Sequence, residues 1–216
     1  GSLFFSKDGG QTWTAARGAG LDQVAPFAVM QDRVDPTRLL LGTNRGIFRS
    51  LDRGESWTLI TAPKKAPVRR PTRRMTAAQR RAAEAAAAKA AAEAKVVPAL
   101  EDSVRVLIPT EDDKNGIIAG TDKGLYRTYD IAKGWEKLEL GEGVNANIFA
   151  VHASPLVPGT IWVGTATSGV LVTRDDGKTW EKVNATPQGI PVVSLASDPK
   201  RPNYVYAGTT PTFYLS

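Results

Sequence analysis

Ser6-Lys7-Asp8-Gly9-Gly10-Gln11-Thr12-Trp13 decides the fold, because it recurs. Ser50-Leu51-Asp52-Arg53-Gly54-Glu55-Ser56-Trp57 repeats it, and so does Thr173-Arg174-Asp175-Asp176-Gly177-Lys178-Thr179-Trp180. Thr128-Tyr129-Asp130-Ile131-Ala132-Lys133-Gly134-Trp135 is a degenerate copy. The four tryptophans stand 44, 78 and 45 residues apart. A period of about 40–50 residues built from short strands signals a propeller or solenoid.

Four strands, A to D, fill one period. Pro26–Met30 is an apolar run, Asp35-Pro36 a turn, Arg38–Thr43 the next run, and Asn44-Arg45-Gly46 a tight turn. Ile47–Ser50 follows, then the eight-residue box, then Trp57–Ile60. Strand A recurs at Val104–Ile108, Ile148–Val151 and Val192–Leu195. Strand B recurs at Gly116–Thr121, Ile161–Thr165 and Tyr204–Thr209, strand C at Leu125–Thr128, Val170–Thr173 and Thr212–Leu215. Strand B is almost continuously apolar, as a strand covered on both faces must be. Sheets stacked radially supply that cover.

Within the box, Ser or Thr closes strand C (Ser6, Ser50, Thr128, Thr173). The aspartate two residues on (Asp8, Asp52, Asp130, Asp175) can accept hydrogen bonds from the turn's own amides. Gly10, Gly54 and Gly177 suit a positive φ, and Trp13, Trp57, Trp135 and Trp180 open strand D with a large surface to bury. The third box has Ala132 at the glycine position, so its turn is reshaped, with Gly134 as a substitute.

This pattern resembles the Asp-box, or BNR, repeat, and Gly46–Trp57 and Asp198-Pro199…Tyr204–Thr209 carry the same likeness. Such repeats occur in sialidases, xyloglucan-cleaving glycosidases, sortilin-like receptors and photosystem II assembly factors. The resemblance implies an all-β propeller of four-stranded blades with Asp-box turns. It implies a periplasmic or secreted bacterial protein, and leaves the activity open. The chain opens at strand C, with Leu3–Ser6, and closes at strand C, with Ser216 at the first box position. That bookkeeping predicts a partial propeller from a parent of about six to eight blades. The alternative is a closed ring of four, with the trailing A–B strands joining the leading C–D pair.

The blades divide into 1–61 and 101–216, separated by a basic Pro/Ala-rich insertion at 62–100. The chain's formal charge is +6, yet the insertion alone holds ten Lys or Arg against two Glu, so the blades are nearly neutral. Residues 62–74 are Pro-broken and cationic, which predicts an extended segment. Residues 76–95 contain twelve Ala behind a Thr76-Ala77-Ala78-Gln79 capping box, which predicts a helix with little apolar surface to bury. The insertion is either a solvated excursion or an arm for an anionic partner: nucleic acid, acidic polysaccharide, a membrane surface or an acidic protein. The contact residues of such an arm would be Lys64, Lys65, Arg69, Arg70, Arg73, Arg74, Arg80 and Arg81. No aromatic residue interleaves with them, so base stacking is not indicated.

Chemistry is sparsely marked. The chain has no Cys and one His, His152, which cannot make a multi-histidine metal site. Neither a cofactor nor a metal is expected, and no residue is assigned as catalytic. Glycoside hydrolysis needs two placed carboxylates. The box aspartates read as structural, and Asp22, Asp102 and Glu142 are the loop alternatives. The Arg-Ile-Pro string of the sialidases is absent; Leu107-Ile108-Pro109 and Gly189-Ile190-Pro191 are the nearest strings. The sequence thus points to a non-catalytic binding or scaffold propeller that recognises a protein or glycan through its loop face. A xyloglucanase-type glycoside hydrolase and a polyanion binder are the alternatives.

Overall fold

The computed structural model describes residues 2–62, 76–78, 81, 96–184 and 189–210. They form five antiparallel sheets. The first pairs β1 (Phe4–Phe5) with β2 (Thr14–Ala15). The second is a meander of β3 (Pro26–Gln31), β4 (Leu39–Thr43), β5 (Gly46–Ser50) and β6 (Thr58–Leu59). The third begins with β7 (Val96–Val97) and continues with β8 (Val104–Pro109), β9 (Ile117–Thr121), β10 (Leu125–Thr128) and β11 (Trp135–Leu138). The fourth holds β12 (Ile148–Ala153), β13 (Ile161–Thr165), β14 (Val170–Thr173) and β15 (Glu181–Lys182). The fifth pairs β16 (Val192–Ser197) with β17 (Val205–Thr209).

The A-to-D order therefore holds in the sheets, and the sheets stack. The A strands β3, β8, β12 and β16 pack against one another in succession. Apolar cores lie between the sheets. Leu3 and Ala16 of the first sheet meet Leu41, Phe48 and Trp57 of the second. Leu40 and Ile47 of the second meet Ala119, Tyr126 and Trp135 of the third. Ile118, Leu125 and Leu138 of the third meet Ile148, Val163 and Leu171 of the fourth. Burying both faces of the second and third sheets explains their unbroken apolar B strands, whereas β17 in an end sheet is largely exposed. This is the architecture of a β-propeller, seen in part. Among the described residues no ladder joins β1 and β2 to β16 and β17, so the four-blade ring is not formed.

The insertion is shorter than 62–100. Val96–Val97 hydrogen-bonds to β11 as a fifth, outermost strand of the third sheet, and Ala99 and Leu100 are buried. The chain thus returns to the blades about five residues before the expected boundary. The predicted helix over 76–95 lies outside the described residues apart from 76–78 and 81. The predicted strand at 212–215 also lies outside them.

Each B strand ends in Gly-Thr, and the glycine sets the distance between sheets. A Cβ on Gly42 would stand 2.6 Å from the Val104 carbonyl oxygen, and one on Gly164 2.6 Å from that of Val192. A methyl group there must force the next A strand outward. Gly164→Ala is expected to destabilise the fold by about 1–3 kcal/mol through this overpacking, read by denaturant unfolding.

Candidate functional site

The blades present two ends. The box turns share one end with the A–B loops: the Arg53 amide donates to the Thr37 carbonyl at 3.0 Å, and the Asp176 amide to that of Gly159 at 2.9 Å. The B–C hairpins share the other with the D–A connections: the Gly46 amide donates to the Asp102 carbonyl at 3.0 Å, and the Asn44 amide to that of Ala25 at 3.1 Å.

At the box end the aspartates are used up by the turn. In the second box the Ser50 hydroxyl donates to Asp52 Oδ1 at 2.8 Å and accepts the Gly54 amide at 2.8 Å. Asp52 also accepts the Ser56 amide at 2.9 Å and the Ser56 hydroxyl at 2.5 Å. Trp57 Nε1 donates to the Gly54 carbonyl at 2.9 Å. Ser6, Asp8, Gly10, Thr12 and Trp13 repeat this set, and Thr173, Asp175, Gly177 and Thr179 repeat all of it but the indole bond. Among the described residues, the buried Trp180 Nε1 has no partner. Gly10, Gly54 and Gly177 have φ of 91°, 92° and 84°, as the turn demands. The residues before the last two glycines, Arg53 and Asp176, are also left-handed, at 61° and 62°.

The hydroxyl at the seventh box position, Thr12, Ser56 or Thr179, is a functional part of the turn that the sequence reading passed over. Aligning the boxes would have exposed it, since only the third copy lacks it, having Gly134 there. The Thr12, Ser56 and Thr179 hydroxyls, aided by amides and by Ser6, Ser50 and Thr173, hold Asp8, Asp52 and Asp175 down to about 2 from an ordinary 3.8. Such carboxylates have neither the pKa nor the free oxygens of a general acid. The third box is rebuilt as a short 3-10 turn, Ile131–Lys133, capped by Asp130 accepting the Ala132 amide at 3.0 Å. Gly134 closes it at φ 92°, where the Thr128 hydroxyl meets the Gly134 carbonyl at 2.7 Å.

The hairpin end is built differently. Each A strand carries a β-bulge at its second residue: Phe27, Arg105, Phe149 and Val193 fall out of register with the neighbouring B strand. A bulge re-aims a side chain, and bulges collect beside functional sites. The Arg105 guanidinium lies 4.6 Å from the Phe149 ring centroid, and its Nη1 donates to Asn147 Oδ1. Phe27 is 49% exposed and Val193 39%. Of the loop carboxylates, Asp102 pairs with Lys123 at 2.5 Å, while Asp22 lies in a 3-10 turn of the D–A connection that also buries Leu21. Glu142 is exposed beside Gly141 and Gly143. Nothing brings these three together as a pair astride a cleft. His152 stacks on Trp162 at 5.8 Å and shares a 2.8 Å hydrogen bond with Ser197 of the next sheet; burial lowers its pKa. Of the basic residues assigned to an arm, Arg81 is exposed; Lys64, Lys65, Arg69, Arg70, Arg73, Arg74 and Arg80 lie outside the described residues. Among the described residues no three His, Asp or Glu side chains cluster as metal ligands, and no helix is long and apolar enough to cross a membrane.

Stacked four-stranded sheets with Asp-containing corners define a class, the β-propellers. A model of the BNR/Asp-box repeat matches residues 4–15, and the eight-residue pattern within them recurs at 50–57 and 173–180. No curated protein matches the chain. Its fold is similar to that of an ancestral GH74 enzyme, with 16% identity, a TM-score of 0.62, and coverage of 95% of this chain and 24% of that one. It is also similar to the GH74 enzyme of Niastella koreensis, at 14% identity, TM-score 0.52, and 85% and 26% coverage. The GH74 xyloglucanase of Xanthomonas campestris follows at 17%, 0.56, and 90% and 29%. The chain spans less than a third of each of these structures, and the likeness is one of fold.

Two predictions follow from the boxes. Trp57 is 4% exposed between two sheets, whereas Trp13, with the same local turn, is 63% exposed. Trp57→Ala is expected to cost about 3–5 kcal/mol and Trp13→Ala under about 1 kcal/mol, measured by chemical denaturation. The carboxylates of Asp8, Asp52 and Asp175 titrate near 3.8 when unfolded and at about 2 when folded. The native state therefore binds fewer protons between those values, so the boxes' contribution is fully present above 3.8 and is lost as pH falls to about 2. Unfolding midpoints should drop across that window, and less steeply in Asp52→Asn.

Proposed function

We propose that the chain is a non-catalytic binding or scaffold module that recognises a protein or glycan across the hairpin end of its inner strands. The row of bulged residues carries this reading. One position before three of the four bulges, packing dictates the residue: Val104, Ile148 and Val192 are fully buried, while Pro26 is exposed. At the bulge itself the residues are Phe27, Arg105, Phe149 and Val193, of three types and out of register with the ladder. A fold requirement repeats its residue in every blade; a ligand requirement does not. Aromatic rings and an arginine held over one of them suit the face of a sugar ring or an apolar side chain of a partner. The Asn147 amide steadies the guanidinium, so little entropy is lost on contact. Export from a bacterial cell belongs to the same reading and rests on the Asp-box resemblance.

Arrays of glycans and of peptides, probed with the wild type, Phe149→Ala and Arg105→Ala, test this, beside hydrolysis assays on β-glucans and sialosides. Each substitution is expected to weaken the retained ligand about tenfold, with no sugar released. Turnover of either substrate, or binding indifferent to both substitutions, refutes the proposal.

A further inference from the structure

The repeat contains its own control for a second site. At the interface of the third and fourth sheets, Arg127 fills the gap near the box end. Its guanidinium pairs with Glu136 at 3.1 Å and with Asp176 at 2.8 Å, donates to the Asp176 carbonyl, and is 12% exposed. The Tyr129 ring lies 5.5 Å away. Arg49 is the same residue one blade earlier, each standing just before its box. Both of its partners are missing. The counterpart of Glu136 is Thr58, which faces Arg49 across the ladder, and the counterpart of Asp176 is Ile131. Arg49 is exposed, and among the described residues it has no hydrogen bond or ion pair.

Arg49 borders a groove of about 440 Å³ between the second and third sheets. Met30, Leu40, Ile117 and Ile131 give it an apolar lining, and Leu51, 58% exposed, stands at its edge. Its other charges are already engaged. Arg38 pairs with Asp35 at 2.9 Å. Asp32 accepts the Val34 and Asp35 amides and the Asn115 side chain, and Asp130 caps the 3-10 turn and pairs with Lys133 at 3.5 Å. Among the described residues, Arg49 is thus the groove's unpaired cation, in a cleft whose lining mixes apolar side chains with Asp32, Thr128 and Asp130.

We propose that this groove docks a segment of a partner protein bearing a carboxylate side chain beside an apolar one. The carboxylate takes at Arg49 the place that Asp176 takes at Arg127, and the apolar side chain covers Leu51 and the groove lining. The third box opens the site, since it offers Ile131 where the fourth box offers Asp176 and leaves the neighbouring arginine to an outside partner.

Phage-displayed random peptides selected on the whole chain provide the probe, and a selected peptide is then titrated by fluorescence anisotropy. Enriched sequences are expected to pair an acid with a large apolar residue. Arg49→Ala, at an exposed position, should weaken the selected peptide by roughly fivefold, as should replacing the peptide's acids by amides. Ile131→Asp should abolish binding by supplying the carboxylate within the chain, with folding checked by circular dichroism. Arg105→Ala should leave it unchanged, which separates this groove from the rim of bulged residues. Enrichment without acids, no enrichment, or binding indifferent to Arg49→Ala overturns the proposal.

Discussion

Sheet stacking in this molecule depends on one close approach. The B strand of each blade must pass beneath the first residue of the next A strand, and only a residue without a side chain fits there. Gly42, Gly120 and Gly164 lie under Val104, Ile148 and Val192, all fully buried. A Cβ on Gly120 would stand 2.8 Å from Ile148 Cγ2. The threonine that follows turns this spacing into a fixed corner. Thr43, Thr121 and Thr165 donate from their hydroxyls to the carbonyls of Gly46, Gly124 and Gly169, at 2.9, 3.1 and 2.9 Å. Strand separation and hairpin geometry are thereby set by two adjacent residues. The interlayer cores, which supply most of the burial, can form only at that separation.

The Asp-box works on a different scale. Its hydrogen bonds close within eight residues, so the turn forms even in the first sheet, where Trp13 is largely exposed. Only the tryptophan reaches outward. Trp57 and Trp135 are buried among residues of two sheets each, which couples a local turn to the stacking of blades. The same closure accounts for the chemistry that the box aspartates lack. Their oxygens are committed to amides and hydroxyls, and a proton donor or nucleophile needs one to be free.

Much of this was legible in the residues. The order of strands followed from apolar runs punctuated by turns, and the box gave the register of each C–D corner. Recurrence marks Asp8, Asp52 and Asp175 as a set, and each accepts hydrogen bonds from within its own box. The insertion boundary was not legible, because Val96-Val97 is too short to show alternation and follows an alanine-rich tract. The bulges were hidden for a related reason. Phe27 and Arg105 sit in sequences that read as regular strands, and the extra residue shows only once pairing partners are known. Thr12, Ser56 and Thr179 recur at one box position and are as legible as the aspartates they bind. The ligand was out of reach, because the propeller is determined by repeated residues and recognition by the ones that differ.

That contrast gives repeat proteins a means of locating function without an alignment of relatives. Each blade is a copy of one mechanical problem, so a residue shared by all copies answers to packing. A departure in one copy either damages the fold or has been taken over for another purpose. The third box departs without damage: Asp130 still caps its turn, Gly134 still supplies the positive φ, and Trp135 is 1% exposed. What changes is the neighbour. Arg127 is neutralised by the box of the next blade, and Arg49 is not, although both occupy the same place in equivalent strands. An arginine without the acids that engage its counterpart carries a solvated charge that the blade does not need for stacking. Its chemistry is therefore available to a molecule outside the chain.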